Sequence, residues 1–141
     1  MENIKAKFQL LDSYVKSYSL NLSRKIQSNE NIEVNGKMGF GIIHITKKDS
    51  LIGEIELANE IELVIDKNVV GKIHIVMGAL FEGSLDIEKD FEKMLKLNGA
   101  TTLSNIMRAY VISNTSLSGM PTIVIPLINF VEFFKIREDK K

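Results

Sequence analysis

No cysteine occurs among the 141 residues, so disulfides and thiolate metal sites are excluded. Histidine is almost as scarce, with only His44 and His74. With no H-x-x-x-H spacing between them they make a poor metal signal and read as ordinary strand residues, His74 being a candidate pH-sensitive contact. No apolar run is long enough to span a bilayer as a helix. The opening residues, Met1-Glu2-Asn3-Ile4-Lys5-Ala6-Lys7, lack the apolar stretch of a signal peptide, and a cytoplasmic protein is expected. Net charge is also absent: 18 Lys plus Arg balance 18 Asp plus Glu. That argues against general electrostatic capture of nucleic acid or an anionic membrane, though a local basic patch is compatible with it.

Recognisable catalytic motifs are missing as well. Gly36-Lys37-Met38-Gly39-Phe40-Gly41 matches neither the phosphate-loop nor the dinucleotide fingerprint, and no helix follows it. Ser113, Ser116 and Ser118 sit in no Gly-x-Ser-x-Gly elbow. The carboxylates alternate with apolar residues or lie among lysines, as on a solvated face. An enzyme is therefore not expected, and no cofactor or metal is called for.

What is present is a chain in two halves, read as one domain over residues 1–141 whose 45% hydrophobic content suffices for a core. The first half has the period of a strand. Phe8, Leu10, Tyr14, Tyr18, Leu20 and Leu22 share one parity, interrupted at Asp12 and Lys16, where a bulge is expected. Residues 24–35 read as a polar connection. A second strand covers 37–47, with Met38, Phe40 and Ile42 on one face and a parity switch near Gly41. In the third, Ile55, Leu57, Ile61, Leu63 and Ile65 alternate with Glu54, Glu56, Glu60, Glu62 and Asp66, leaving an acidic outer face. Asp66-Lys67-Asn68 is a hairpin turn into a fourth strand over 69–81, and short links favour an antiparallel meander.

In the second half the period becomes helical. Ile87, Phe91, Met94, Leu95 and Leu97 predict a short amphipathic helix that Asn98-Gly99 breaks. A longer helix follows over 101–117, carrying Leu103, Met107, Tyr110, Val111, Asn114 and Leu117, with Gly119 as its cap and Pro121 beyond. Arg108 is its single charge and is expected to form an ion pair. Ser, Thr and Asn elsewhere on that helix suit close packing against another subunit. Met120-Pro121-Thr122-Ile123-Val124-Ile125-Pro126-Leu127-Ile128-Asn129-Phe130 is apolar, but its prolines bar helix and central strand, so an extended segment is expected. A short helix from Phe130 and a frayed charged tail over 137–141 complete the chain.

These residues carry a resemblance. Leu97-Asn98-Gly99-Ala100-Thr101-Thr102-Leu103, Met107-Arg108-Ala109-Tyr110, Ser116, Gly119-Met120-Pro121 and Ile125-Pro126-Leu127-Ile128-Asn129-Phe130 together resemble the SecB protein-export chaperone family, particularly its SecB-like branch. Phe8-Gln9-Leu10 with Tyr14, and Gly78-Ala79-Leu80-Phe81, resemble its first and fourth strands. The resemblance implies an α+β fold with a four-stranded antiparallel sheet and helices packed on one side. It also implies a homotetramer, a dimer of dimers with the long helices at its centre. In function it implies an ATP-independent holdase that binds non-native polypeptides, whether preproteins for export or a dedicated antitoxin. Clients would lie in apolar grooves, and Met38, Phe40, Ile42, Tyr110, Met120, Ile123, Ile125 and Leu127 are placed there. Leu103, Met107, Arg108 and Val111 are placed at the oligomer interface. The family's acidic docking positions for the SecA motor are occupied by Ser17, Asn21 and His74, which leaves SecA a possible partner but puts its docking in doubt. No nucleic acid or inserted membrane is expected as a partner. Competing readings are an antitoxin-protecting SecB-like chaperone, or a small-ligand or lipid module with one deep closed pocket.

Overall fold

Strict alternation makes the third strand the centre of the molecule. The computed structural model describes residues 7–139, and side chains up to residue 135. The N-terminal stretch read as lacking a leader lies mostly outside that range, as does the end of the tail. In β3 (Leu51–Ile65) every odd-numbered residue is buried and none of the even-numbered ones is. This is the period-two signature of a strand with one face in the core. Its partners are β2 (Glu33–Lys47) and β4 (Asn68–Gly83), both antiparallel.

The β3–β4 hairpin closes at Asp66-Lys67, with Ile65 paired to Asn68 and φ values of 50° and 68°. Two central residues at positive φ match the twist of the flanking strands. β2 starts four residues earlier than its composition suggests, because Glu33, Val34 and Asn35 pair with Val64, Leu63 and Glu62. Cross-strand pairing there overrides weak local preference.

The expected meander holds for β2, β3 and β4 and fails for β1 (Phe8–Leu22), which lies beside β4 in a sheet ordered β1-β4-β3-β2. The connection from β1 to β2 runs over residues 23–32 and buries Ile26, so it crosses to the far edge and does not turn back as a hairpin. The anticipated irregularities are present. β1 carries extra residues at Leu11 and Lys16, and β2 carries one at Ile43.

The helices cover one face. From Leu85 to Leu117 the chain is continuously helical: a 3-10 turn (Leu85–Ile87), α1 (Glu88–Met94), a π-helical segment (Leu95–Gly99) and α2 (Ala100–Leu117). Asn98-Gly99 therefore does not break the helix. A Cβ on Gly99 would lie 3.2 Å from both Ile55 Cδ1 and Phe81 Cε2, so glycine here serves a close approach to the sheet. Leu103, Met107 and Val111 of α2 pack with Leu57, Ile73, Ile75 and Met77 of the sheet in one core. Gly119 caps α2 at φ 72°. α3 (Phe130–Asp139) starts after Asn129, whose Oδ1 accepts from the backbone N–H of Val131 at 3.0 Å and of Glu132 at 3.3 Å. Its backbone is helical to Asp139, through part of the tail expected to fray. Among the described residues no helix is long and apolar enough to cross a membrane.

Candidate functional site

The inward row of β2 is covered less completely than the rows of β3 and β4. Val34, Met38, Phe40 and Ile42 sit opposite Leu63, Asn59, Leu57 and Ile55, yet each is only half-buried. β2 is an edge strand, so along its outer side no other strand of this sheet pairs with its backbone. α3 partly roofs the row: the Phe134 ring meets Phe40 edge-on at 5.1 Å, and Phe130 and Phe133 complete an aromatic cluster.

Residues 120–128 form the adjoining wall. They are extended, as the two prolines require, and α2 holds them through side chains. The buried Thr115 Oγ1 accepts from the Ile123 N–H at 2.9 Å while donating to the Val111 carbonyl at 2.8 Å. Ser116 Oγ and Thr122 Oγ1 lie 2.8 Å apart. Arg108 Nε donates to the Ile125 carbonyl at 2.7 Å. The expected ion pair of Arg108 is thus replaced, among the described residues, by a clamp on the wall's backbone. The wall alternates: Met120, Ile123 and Ile125 point into the core, whereas Val124 is 50% exposed and Leu127 74%. Among the described residues it makes no backbone–backbone hydrogen bond.

Between the wall and the start of β2 is an open cleft of 360 Å³ lined by Ile32, Val34, Pro121, Thr122, Ile123 and Val124, with Glu30 and Asn31 at its rim. Arg24 braces that rim. Its two terminal nitrogens reach the two Glu30 oxygens at 2.8 and 2.7 Å, and the Gln27 N–H adds 2.9 Å. The Arg24 hydrogen bonds, helped by the Gln27 N–H, hold the Glu30 carboxyl down at about 2.

The expected site residues are thus divided. Met38, Phe40 and Ile42 share the β2 row, and Leu127 is exposed on the wall. Met120, Ile123 and Ile125 back the wall from inside the core. Tyr110 lies elsewhere, edge-on to Tyr18 at 5.3 Å on the β1 side of α2. Tyr18, Ile75, Asn59 and Met38 pair in line across the sheet, so three strand spacings, roughly 14 Å, separate Tyr110's partner from the row. Ile32, Val34, Val124 and Phe134 belong to the site and were not singled out from the sequence. Ile32 and Val34 are two apolar residues inside a polar stretch, and that was the available signal.

The interface residues divide in the same way. Leu103, Met107 and Val111 are buried against this chain's own sheet, and Arg108 is half-buried and turned to the wall. The outward face of α2 is Thr101, Asn105, Ala109, Ser113, Ser116 and Leu117, all uncharged.

The opposite face of the sheet is polar. Tyr14 crosses over Gly78 to donate to Glu54 at 2.6 Å, which, with burial and nearby carboxylates, pushes its hydroxyl up to about 12. Lys16 pairs with Glu56 at 3.0 Å, His44 with Glu54 at 3.1 Å, and His74 lies 3.8 Å from Glu60. Both histidines thus sit on strands beside carboxylates. Asn21 and His74 line a mixed-charge cleft there with Lys37, Glu62 and Lys72. Among the described residues no group of three or more potential ligands is placed to hold a metal.

No protein-family model matches the chain, and no curated protein matches it either. Solved structures do. A Mycobacterium tuberculosis SecB-like chaperone (Rv1957), in complex with a ChAD peptide from the HigA1 antitoxin, superposes with a TM-score of 0.63 at 13% identity, covering 86% of this chain and 91% of that one. The fold is SecB-like. A Streptococcus agalactiae protein of unknown function matches at a TM-score of 0.49 and 14% identity, over 84% of this chain and 96% of its own.

Proposed function

We propose that this chain is a chaperone that binds unfolded or extended polypeptide without ATP. The observation that carries the reading is the half-covered apolar row of β2, on an edge strand and beside an extended wall that makes no backbone–backbone hydrogen bond among the described residues. Unfolded clients offer the complementary chemistry: apolar side chains for shallow subsites and free N–H and C=O groups for strand addition. Met38 and the phenylalanines suit varied sequences, because such surfaces repack around different partners. Phe134 of α3 already fills the subsite over Phe40 and marks the kind of side chain that fits there. The clefts beside the row are open, which supports polypeptide over a small ligand or lipid.

Assembly into a homotetramer would cover the uncharged outer face of α2. A cytoplasmic setting fits this role. A dedicated client is the second reading, supported by the antitoxin peptide in the M. tuberculosis complex. Export through SecA gains less support, since Ser17, Asn21 and His74 stand where the family's acids would be.

The test is aggregation of a chemically unfolded, slow-folding protein, without ATP and at stoichiometric chaperone. Suppression that Phe40→Asp abolishes, while circular dichroism shows that the variant is still folded, is the expected result. No suppression across several clients and the cognate antitoxin candidates would rule the chaperone reading out.

A further inference from the structure

On the helical side four lysines gather in a cleft of 450 Å³ between α1, the π-helical segment and α3, while Glu54, Glu56, Glu60 and Glu62 lie on the outer face of β3. Lys89, Lys93 and Lys96 line one wall and Lys135 the other, around Leu97, Val131 and Phe134, with Glu92 the one carboxylate of the lining. We propose that this cleft docks an acidic segment of a polypeptide partner, one in which Asp or Glu residues flank an apolar side chain.

Three observations support that occupant. First, the lining itself carries a surplus of three positive charges; of the acids nearby on the helices, Asp86 pairs with Lys7 at 2.8 Å and Glu88 with Lys47 at 2.7 Å, and Asp90 and Glu132 lie outside the lining. Glu92 reaches Lys96 only at 3.8 Å, and among the described residues no carboxylate lies within salt-bridge distance of Lys89, Lys93 or Lys135. Like charges crowded in a cleft raise its potential and draw in anionic groups. Second, the cleft is amphipathic. Val131 is 61% exposed and Phe134 half-exposed, so an apolar side chain gains contact between the carboxylates. Third, the geometry disfavours nucleic acid. Single strands are held by bases stacking on open aromatic faces. The aromatic ring of this cleft, Phe134, is already packed against Phe40, Phe130 and Phe133.

This inference rests on the reading that the chain binds extended polypeptide, and it adds a preference for acidic flanks. The complementary charge acts on partner choice and encounter more than on total affinity, and salt screens it.

The experiment is fluorescence anisotropy of the full chain with three labelled short peptides sharing one apolar pattern, their polar positions Asp/Glu, Gln or Lys, and with a labelled single-stranded oligonucleotide. The acidic peptide should bind at least about tenfold tighter than the basic one at low salt, the gap closing as NaCl rises toward about 0.5 M. The double variant Lys89→Glu/Lys93→Glu, at two exposed positions, should reverse the order and leave the Gln peptide unchanged. Equal binding of all three peptides, an order untouched by the double variant, or tighter lysine-dependent binding of the oligonucleotide would overturn the proposal. If aggregation is suppressed but the peptides show no charge order, this inference alone fails. If neither effect is seen, the chaperone reading fails with it.

Discussion

Thr115→Val removes one oxygen and nearly nothing else. Thr115 is fully buried, and its Oγ1 receives the Ile123 N–H at 2.9 Å while its own proton goes to the Val111 carbonyl at 2.8 Å. Valine keeps the shape and leaves the Ile123 N–H with no acceptor. An unmet buried donor costs about 1–3 kcal/mol. For a chain of this size that is a fall in melting temperature of roughly 3–5 °C per kcal/mol. The loss falls on the attachment of the wall, which Arg108, Ser116 and the buried side chains of Met120, Ile123 and Ile125 then hold. Client affinity should therefore drop together with stability, and Thr115→Ser, which restores the oxygen, should recover both. Thermal unfolding and peptide titration of the three proteins would show this. If Thr115→Val melts and binds as the wild type does, apolar side chains alone hold the wall, and the hydrogen-bond argument is wrong.

Three further outcomes follow from local geometry. Gly99→Ala should gain up to about 1 kcal/mol of helix propensity but lose about 1–3 kcal/mol to crowding, for its Cβ would meet Ile55 and Phe81 at 3.2 Å; urea unfolding should show a net loss. Lys67→Gly should raise the melting temperature, relieving a side chain held at φ 68° at a cost of about 1–2 kcal/mol, of which glycine's unfolded-state entropy takes back part. Glu30 has its folded pKa depressed to about 2, so its contribution is present in full above the ordinary carboxylate value of 4.5 and is lost as pH falls through about 2. A carboxyl NMR titration should find it there, and Arg24→Gln should return it toward 4.5; ordinary titration in the unaltered chain would remove the bracing of the rim.

Much of this architecture is legible in the sequence. The alternation from Ile55 to Ile65 identified the central strand and its buried face. Asp66-Lys67 marked the turn, and Pro121 and Pro126 marked an extended wall. The interruptions at Asp12 and Lys16 coincided with bulges, because a charged residue at an inward parity forces the strand to shift. Non-local facts were not readable. β1 lies against β4 because a buried crossover carries it there, and periodicity says nothing about which strand is a neighbour. Gly99 looked like a breaker because its reason, contact with Ile55 and Phe81, lies in another element. The candidate site was legible in part for the same cause. Met38, Phe40 and Ile42 follow from parity, while Phe134 as their cover requires knowing where α3 returns. Tyr110 and Met120 are apolar residues like their neighbours, and only the packing shows that one faces β1 and the other the core.

Hydrogen exchange with and without a saturating unfolded client tests the central claim most directly. The account predicts new protection in the edge strand β2 around Met38, Phe40 and Ile42 and along residues 122–127, with none added in β1 at the opposite edge of the sheet. Protection confined to β1, or none in either edge strand while the client is bound, would contradict it.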